Sequence, residues 1–169
     1  MSTGMGTART ALVTGASSGI GAAYARRLAK RGWNIVLVAR RADRLDDLAH
    51  HLRAEGATTV ETLVADLSDS EDLARVAERA AGEDIGFLLN NAGINGYGPF
   101  AELDPRLLRK VLDVNVLAVT VLARAAAPAM LSRGHGTLST WPHSWRSPAL
   151  CHRVRCPSAR CTAAARGSS

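Results

Sequence analysis

Apolar residues fall along this chain in short continuous runs that alternate with longer stretches of helical period. The run Thr10-Ala11-Leu12-Val13 comes first, and it ends in Thr14-Gly15, which marks a turn. After a cluster of glycines, Ala22 to Arg31 is built of good helix formers and closed by Gly32. Ile35-Val36-Leu37-Val38-Ala39 is apolar throughout and rich in β-branched residues, the pattern of a strand buried on both faces. From Asp43 to Glu55 the residues Leu45, Leu48, Ala49 and Leu52 form one helical stripe, which Gly56 ends. Residues 59–64 predict a third strand, and Ser68 or Ser70 is placed to cap a helix running to Ala81. Ile85 to Leu89 predicts the fourth strand. Pro105 suits the first turn of a helix that carries Leu107, Leu108, Val111, Val114 and Leu117. Strand and helix alternating at this spacing predict an α/β fold, a doubly wound parallel sheet with right-handed crossovers.

Composition adds a boundary to that picture. Of 169 residues, 47% are hydrophobic and 21% charged, which excludes a disordered chain. The net charge of +6 is unevenly placed. Positions 1–138 hold 16 basic and 15 acidic residues, whereas positions 139–169 hold five arginines and no acidic residue. All three cysteines, Cys151, Cys156 and Cys161, also fall in that last stretch. A break this sharp marks two regions of different character. Met1 to Arg9 lacks the apolar core of a signal peptide, and no uninterrupted apolar run reaches membrane-spanning length. The expectation is a cytoplasmic protein without a membrane partner.

The first turn carries more specific chemistry. Thr14-Gly15-Ala16-Ser17-Ser18-Gly19-Ile20-Gly21 follows a strand and opens a helix. Glycines there permit a tight turn and let backbone N–H groups at a helix N-terminus approach a pyrophosphate. An ordinary glycine-rich turn is the plainer reading, and the strand before and helix after weigh against it. The spacing is that of neither the Gly-x-Gly-x-x-Gly loop nor a Walker A loop.

With this loop the sequence resembles the short-chain dehydrogenase/reductase family, and the resemblance continues through residues 8–138. Thr14 to Gly21 matches the family's cofactor loop. Asp66-Leu67 matches the pair that contacts adenine after the third strand, and Asn90-Asn91-Ala92-Gly93 matches the element after the fourth. Asn115 matches the active-site asparagine of the long fifth helix. The resemblance implies a Rossmann-like fold and hydride transfer between nicotinamide and a small carbonyl or alcohol substrate. It further implies cofactor contacts at Thr14, Gly15, Ser17, Ser18, Gly19, Ile20, Gly21, Asp66, Leu67, Asn91, Ala92 and Gly93. Cofactor choice turns on Arg40 and Arg41, which follow the second strand with no carboxylate before Asp43. A guanidinium fork suits a 2′-phosphate, so NADP is favoured over NAD. Solvated surface charge is the alternative role for both arginines.

The family's other catalytic groups have no counterpart. Its tyrosine is the acid/base, tuned by a lysine four residues on, and its serine orients the substrate oxygen. Here the tyrosines are Tyr24 and Tyr97 and the lysines Lys30 and Lys110, so no Tyr-x-x-x-Lys exists. His143 stands at the serine position by count. Of the family set only Asn115, which by resemblance holds a water in the proton relay, is present.

Positions 139–169 are expected to form an irregular basic tail, broken by Pro142, Pro148 and Pro157, rather than a folded domain. A metal site in Cys151, His152, Cys156 and Cys161 lacks a known zinc spacing, so no metal is expected. Five arginines without a folded platform do not point to nucleic acid. A single-base deletion near codon 138 accounts for the junction. Written as TCA ACG TGG CCT CAC and restored by one base, Ser139 to His143 reads Ile-Asn-Val-Ala-Ser, the family's fifth strand ending in its serine. The expectation is therefore a dehydrogenase domain truncated after the fifth helix, with a frame-shifted end and impaired catalysis. The family's homo-oligomer is in doubt for such a chain. A non-catalytic nucleotide-binding remnant or an NADP-sensing protein are the alternative functions.

Overall fold

The computed structural model describes residues 9–56 and 59–141, and the backbone of 150–155. Strand β1 (Thr10–Thr14) is buried at all five positions, and β2 (Asn34–Ala39) at five of its six. Both are the continuous apolar runs expected of central parallel strands. Strands β3 (Val60–Val64), β4 (Ile85–Asn90) and β5 (His135–Thr140) complete a parallel set, and the sheet order is β3-β2-β1-β4-β5. This is the doubly wound arrangement, with its switch point between β1 and β4.

Helices cover both faces. On one, α1 (Gly19–Ala29) and α2 (Ala42–Ala54) bury Ala25, Leu28, Leu45, Leu48 and Leu52 against Ala11, Val13, Ile35 and Leu37. On the other, α3 (Ser70–Ala80) and α5 (Val119–Ser132) bury Leu73, Val76, Leu122, Ala126 and Met130 against Leu12, Val36, Val38 and Leu88. Alternate residues of β1 therefore feed two separate cores, as the period of a strand requires. Helix α1 starts at Gly19, three residues before the sequence pattern places it, and Gly32 turns the chain out of it at φ +77°. The cap of α3 is Asp69, whose carboxylate accepts from the N–H groups of Glu71 and Asp72, both at 3.0 Å. Neither Ser68 nor Ser70 fills that role: Ser68 Oγ donates to Asp66 Oδ1 at 2.8 Å instead.

Helix α4 (Pro105–Leu112) has proline at its first turn and an Asp104 cap, and it runs through a π-helical turn, Asp113–Ala118, into α5. The combined helix, Pro105–Ser132, is long and apolar enough to cross a membrane by length and composition. Its stripe Ala118, Leu122, Ala126 and Met130 is at most 1% exposed, because it is packed on the sheet. Leu112, Val116 and Leu117 on its outer side are exposed.

A sixth strand, β6 (Leu150–Arg155), corrects the expectation of an irregular tail over that segment. It pairs antiparallel with β5, Thr140 opposite Leu150 and His135 opposite Arg155. An edge strand needs only backbone groups free to pair, and the stretch between Pro148 and Pro157 contains no proline to remove a donor. His143, Cys156 and Cys161 lie outside the described residues.

Candidate functional site

The carboxyl ends of β1 and β4 diverge at the switch point, and side chains tie them together there. Thr14, 1% exposed, accepts at Oγ1 from the N–H groups of Asn91 (2.9 Å) and Ala92 (3.0 Å) and donates to the Leu89 carbonyl at 3.3 Å. Asn91 Nδ2 returns the link, donating to the carbonyls of Thr14 (3.1 Å) and Gly15 (3.3 Å). Gly15 adopts φ +65°, and a Cβ there would lie 2.9 Å from both Ala92 Cα and Asn91 Nδ2. At Gly21 the clash is with backbone, since a Cβ would sit 2.5 Å from the Gly15 carbonyl oxygen. Gly19 differs: it takes φ +58° with open space beside it, so the conformation alone demands glycine.

Above this clamp a cleft of about 460 Å³ runs along the carboxyl ends of the strands. Ser17 to Ile20 form its middle at the N-terminus of α1. Ser18, in the cap position, makes no side-chain cap bond, and the first turn holds no acidic residue. First-turn N–H groups and the positive end of the helix dipole are thus left for an anion. Arg41 extends the positive region: its Nη2 donates to Ser17 Oγ at 3.1 Å and Ser18 Oγ at 3.3 Å.

Beyond β2 and β3 the cleft is walled by Ala39, Arg40, Ala65, Asp66 and Leu67. Burial pushes the Asp66 carboxyl up. Hydrogen bonds from Ser68 N–H and Oγ, with the charges of Arg40 and Lys110, outweigh it and hold the group below the usual carboxylate range. Asp66 is therefore a fixed acceptor near neutral pH. On the other side, Asn91, Ala92, Gly93 and Ile94 follow β4.

Asn115 stands behind that wall in the π-helical turn. Its Nδ2 donates to the Ile94 carbonyl at 2.8 Å, and its Oδ1 accepts from Ile94 N–H at 3.0 Å. Both polar groups of the side chain are engaged by one residue, so Asn115 positions the loop after β4.

Most residues expected at the site line this cleft, whereas Thr14, Gly21 and Asn115 shape it from behind. Among the lining residues not anticipated as part of the site are Lys110, Val114 and Trp141. Lys110 lies four positions before Val114, hence on the same face of the helix, a spacing that could have drawn it in. No signal in the sequence marked Trp141. Among the described residues no group of His, Cys, Asp and Glu could hold a metal ion.

A parallel sheet with a glycine-lined helix N-terminus at its switch point defines a dinucleotide-binding α/β domain. Comparison with known proteins narrows this: the short chain dehydrogenase family model matches residues 9–139, and the chain belongs to that family. It is 34% identical over 140 residues to a very-long-chain 3-oxoacyl-CoA reductase from Anas platyrhynchos, a match covering 80% of this chain and 45% of that protein. The chain spans about half the length of the curated relatives it matches. Among solved structures, a bulky-bulky ketone specific alcohol dehydrogenase from Comamonas testosteroni is 43% identical with a TM-score of 0.76. That match covers 78% of this chain and 53% of the other. A short-chain dehydrogenase from Sphingobium yanoikuyae, solved with NADPH, is 45% identical, again with a TM-score of 0.76, over 78% of this chain and 52% of that one.

Proposed function

We propose that this chain binds NADP(H) in the cleft and, as these 169 residues, does not turn over a carbonyl or alcohol substrate. The observation that carries the first half is Arg41, held against Ser17 and Ser18 at the phosphate loop with Arg40 beside it. The pocket residues fit a dinucleotide. The first-turn N–H groups of α1 suit the pyrophosphate, Asp66 and Leu67 the adenine, and the two guanidinium groups a 2′-phosphate. Relatives solved with NADPH and NADP support the same choice. Asn91, Ala92 and Gly93 support the loop beside the nicotinamide end.

When bound, the nicotinamide supplies or accepts a hydride. The protein must then give or take a proton at the substrate oxygen, a contribution of about 10² to 10⁴ in rate. The asparagine amide does not titrate near neutrality and is bound to Ile94, and no Tyr-x-x-x-Lys stands in the sequence to act instead. Carbonyl reduction is the activity of the family rather than of this chain. We read the tail beyond position 138 as frame-shifted, which the nucleotide sequence across that codon decides. A cytoplasmic location fits a helix whose apolar stripe is spent on the sheet.

Calorimetric titration tests the cofactor reading. NADP⁺ should bind more tightly than NAD⁺, and Arg41→Ala should cost about tenfold or more for NADP⁺ alone, the scale of one charge-assisted hydrogen bond. Equal affinities, unchanged in Arg40→Ala and Arg41→Ala, would refute it. NADPH oxidation with a panel of aldehydes and ketones tests the second half, and turnover matching a frame-restored chain would overturn it.

A further inference from the structure

The strand order gives the cleft a direction. Arg40, Arg41 and Asp66 follow β2 and β3 at one end, and the N-terminus of α1 sits over β1 in the middle. At the other end the chain leaves β5 through Trp141. The Trp141 N–H donates to the Asn90 carbonyl at 2.9 Å, which carries the β4–β5 ladder one step past Thr140. The residue is half-buried and lines the same cleft as Ala92, Gly93 and Ile94. Asp66, the single carboxylate among the described lining residues, belongs to the opposite end.

We infer that the Trp141 indole is a stacking platform for the nicotinamide ring and makes the cleft prefer the oxidised dinucleotide. This rests on the NADP(H) reading above. With the pyrophosphate at α1 and the 2′-phosphate at the arginines, the β4–β5 end is what remains for the second base. Oxidised nicotinamide is a flat pyridinium cation, whereas the reduced ring is neutral. An indole face carries the negative lobe of the ring quadrupole and attracts a cation lying over it, most strongly where water is excluded. Ala92, Gly93 and Ile94 at that end are neutral, and the charge of the lining Lys110 acts on Asp66, which leaves the indole as the group that distinguishes the two redox forms.

The test is titration of NADP⁺ and NADPH into the full chain and into Trp141→Leu and Trp141→Phe. Adenosine 2′,5′-bisphosphate serves as a probe that lacks the nicotinamide. The unaltered chain should bind NADP⁺ about 5- to 20-fold more tightly than NADPH, the scale of one partly desolvated cation–π contact. NADP⁺ should also produce a long-wavelength charge-transfer shoulder that the bisphosphate does not. Trp141→Leu should lose both the preference and the shoulder while binding the bisphosphate as before, and Trp141→Phe should keep part of the preference. If Trp141→Leu fails to bind the bisphosphate, Trp141→Phe decides, and an undiminished preference there refutes the inference. Equal affinity of the unaltered chain for both redox forms, or a preference that survives in Trp141→Leu, overturns it with the NADP(H) reading intact. No binding of any of the three ligands overturns both.

Discussion

Replacing Thr14 by valine preserves the shape of the side chain and removes its hydroxyl. Thr14 Oγ1 is the acceptor for the Asn91 and Ala92 N–H groups and the donor to the Leu89 carbonyl, at a position 1% exposed. Two main-chain donors lose their acceptor, each at a cost of about 1–3 kcal/mol when water cannot replace it. Partial relaxation of the loop after β4 brings the expected loss to about 2–4 kcal/mol, a large share of the roughly 5–15 kcal/mol that holds a whole domain together. Thr14→Ser keeps the hydroxyl and removes one methyl group, for which about 0.5–1.5 kcal/mol is expected. Urea denaturation followed by far-ultraviolet circular dichroism separates the two. With a slope of about 1.5 kcal/mol per molar, Thr14→Val should shift the midpoint down by roughly 1.3–2.7 M, and Thr14→Ser by about 0.3–1 M. Equal midpoints for the two variants would mean that the hydroxyl does not clamp β1 to β4, and the account of the switch point would fail.

Gly21→Ala places a methyl group 2.5 Å from the Gly15 carbonyl oxygen, so about 1–3 kcal/mol of stability and most nucleotide affinity should be lost; calorimetry showing unchanged affinity contradicts the cradle. Arg79 holds the Asp84 carboxyl below its usual range through paired hydrogen bonds, against a smaller upward push from burial. A lowered folded value means stability that is full above the ordinary carboxylate range, near pH 4, and lost as pH falls through the folded value. Urea midpoints at pH 6, 4 and 3 should therefore drop on acidification, and Asp84→Asn should flatten part of that drop. Arg133 Nη2 donates to the Ile85 carbonyl at 2.6 Å, while its Nε and Nη1, both buried, have no partner among the described residues. Arg133→Met should change stability by less than about 1 kcal/mol, because a desolvated charge is removed with the bond; a loss above about 2 kcal/mol in thermal or urea melts refutes this.

The parallel strands were readable because burial on both faces leaves an apolar run that a helix of period 3.6 does not imitate. Val36, Leu37 and Val38 illustrate this, each at most 1% exposed. The α3 cap was misplaced by one residue because Ser68, Asp69 and Ser70 are all competent acceptors, and only the bond from Ser68 to Asp66 removes the first from the choice. Thr14 and Asn115 fell within matched motifs, yet their bonds to Asn91 and Ile94 depend on strands and helices meeting, which spacing does not encode. Strand β6 left no trace, since an edge strand is specified by backbone pairing with β5. Trp141 is likewise a neighbour of the cleft only through the sheet order.

Strand β6 also decides where the chain leaves the sheet. The cleft opens at the carboxyl ends of β1 to β5, but β6 runs the other way and brings Arg155 level with His135, at the start of β5. Six residues of strand amount to roughly 20 Å of return travel. Thr10 enters the sheet at that same edge. A dye, a solid support or a second protein joined before Thr10 or after Arg155 therefore starts on the far side from the cleft mouth. Thr10 and Arg155 themselves stand away from the nucleotide's approach, whereas the loops after β2 and β4 are poor places for a graft.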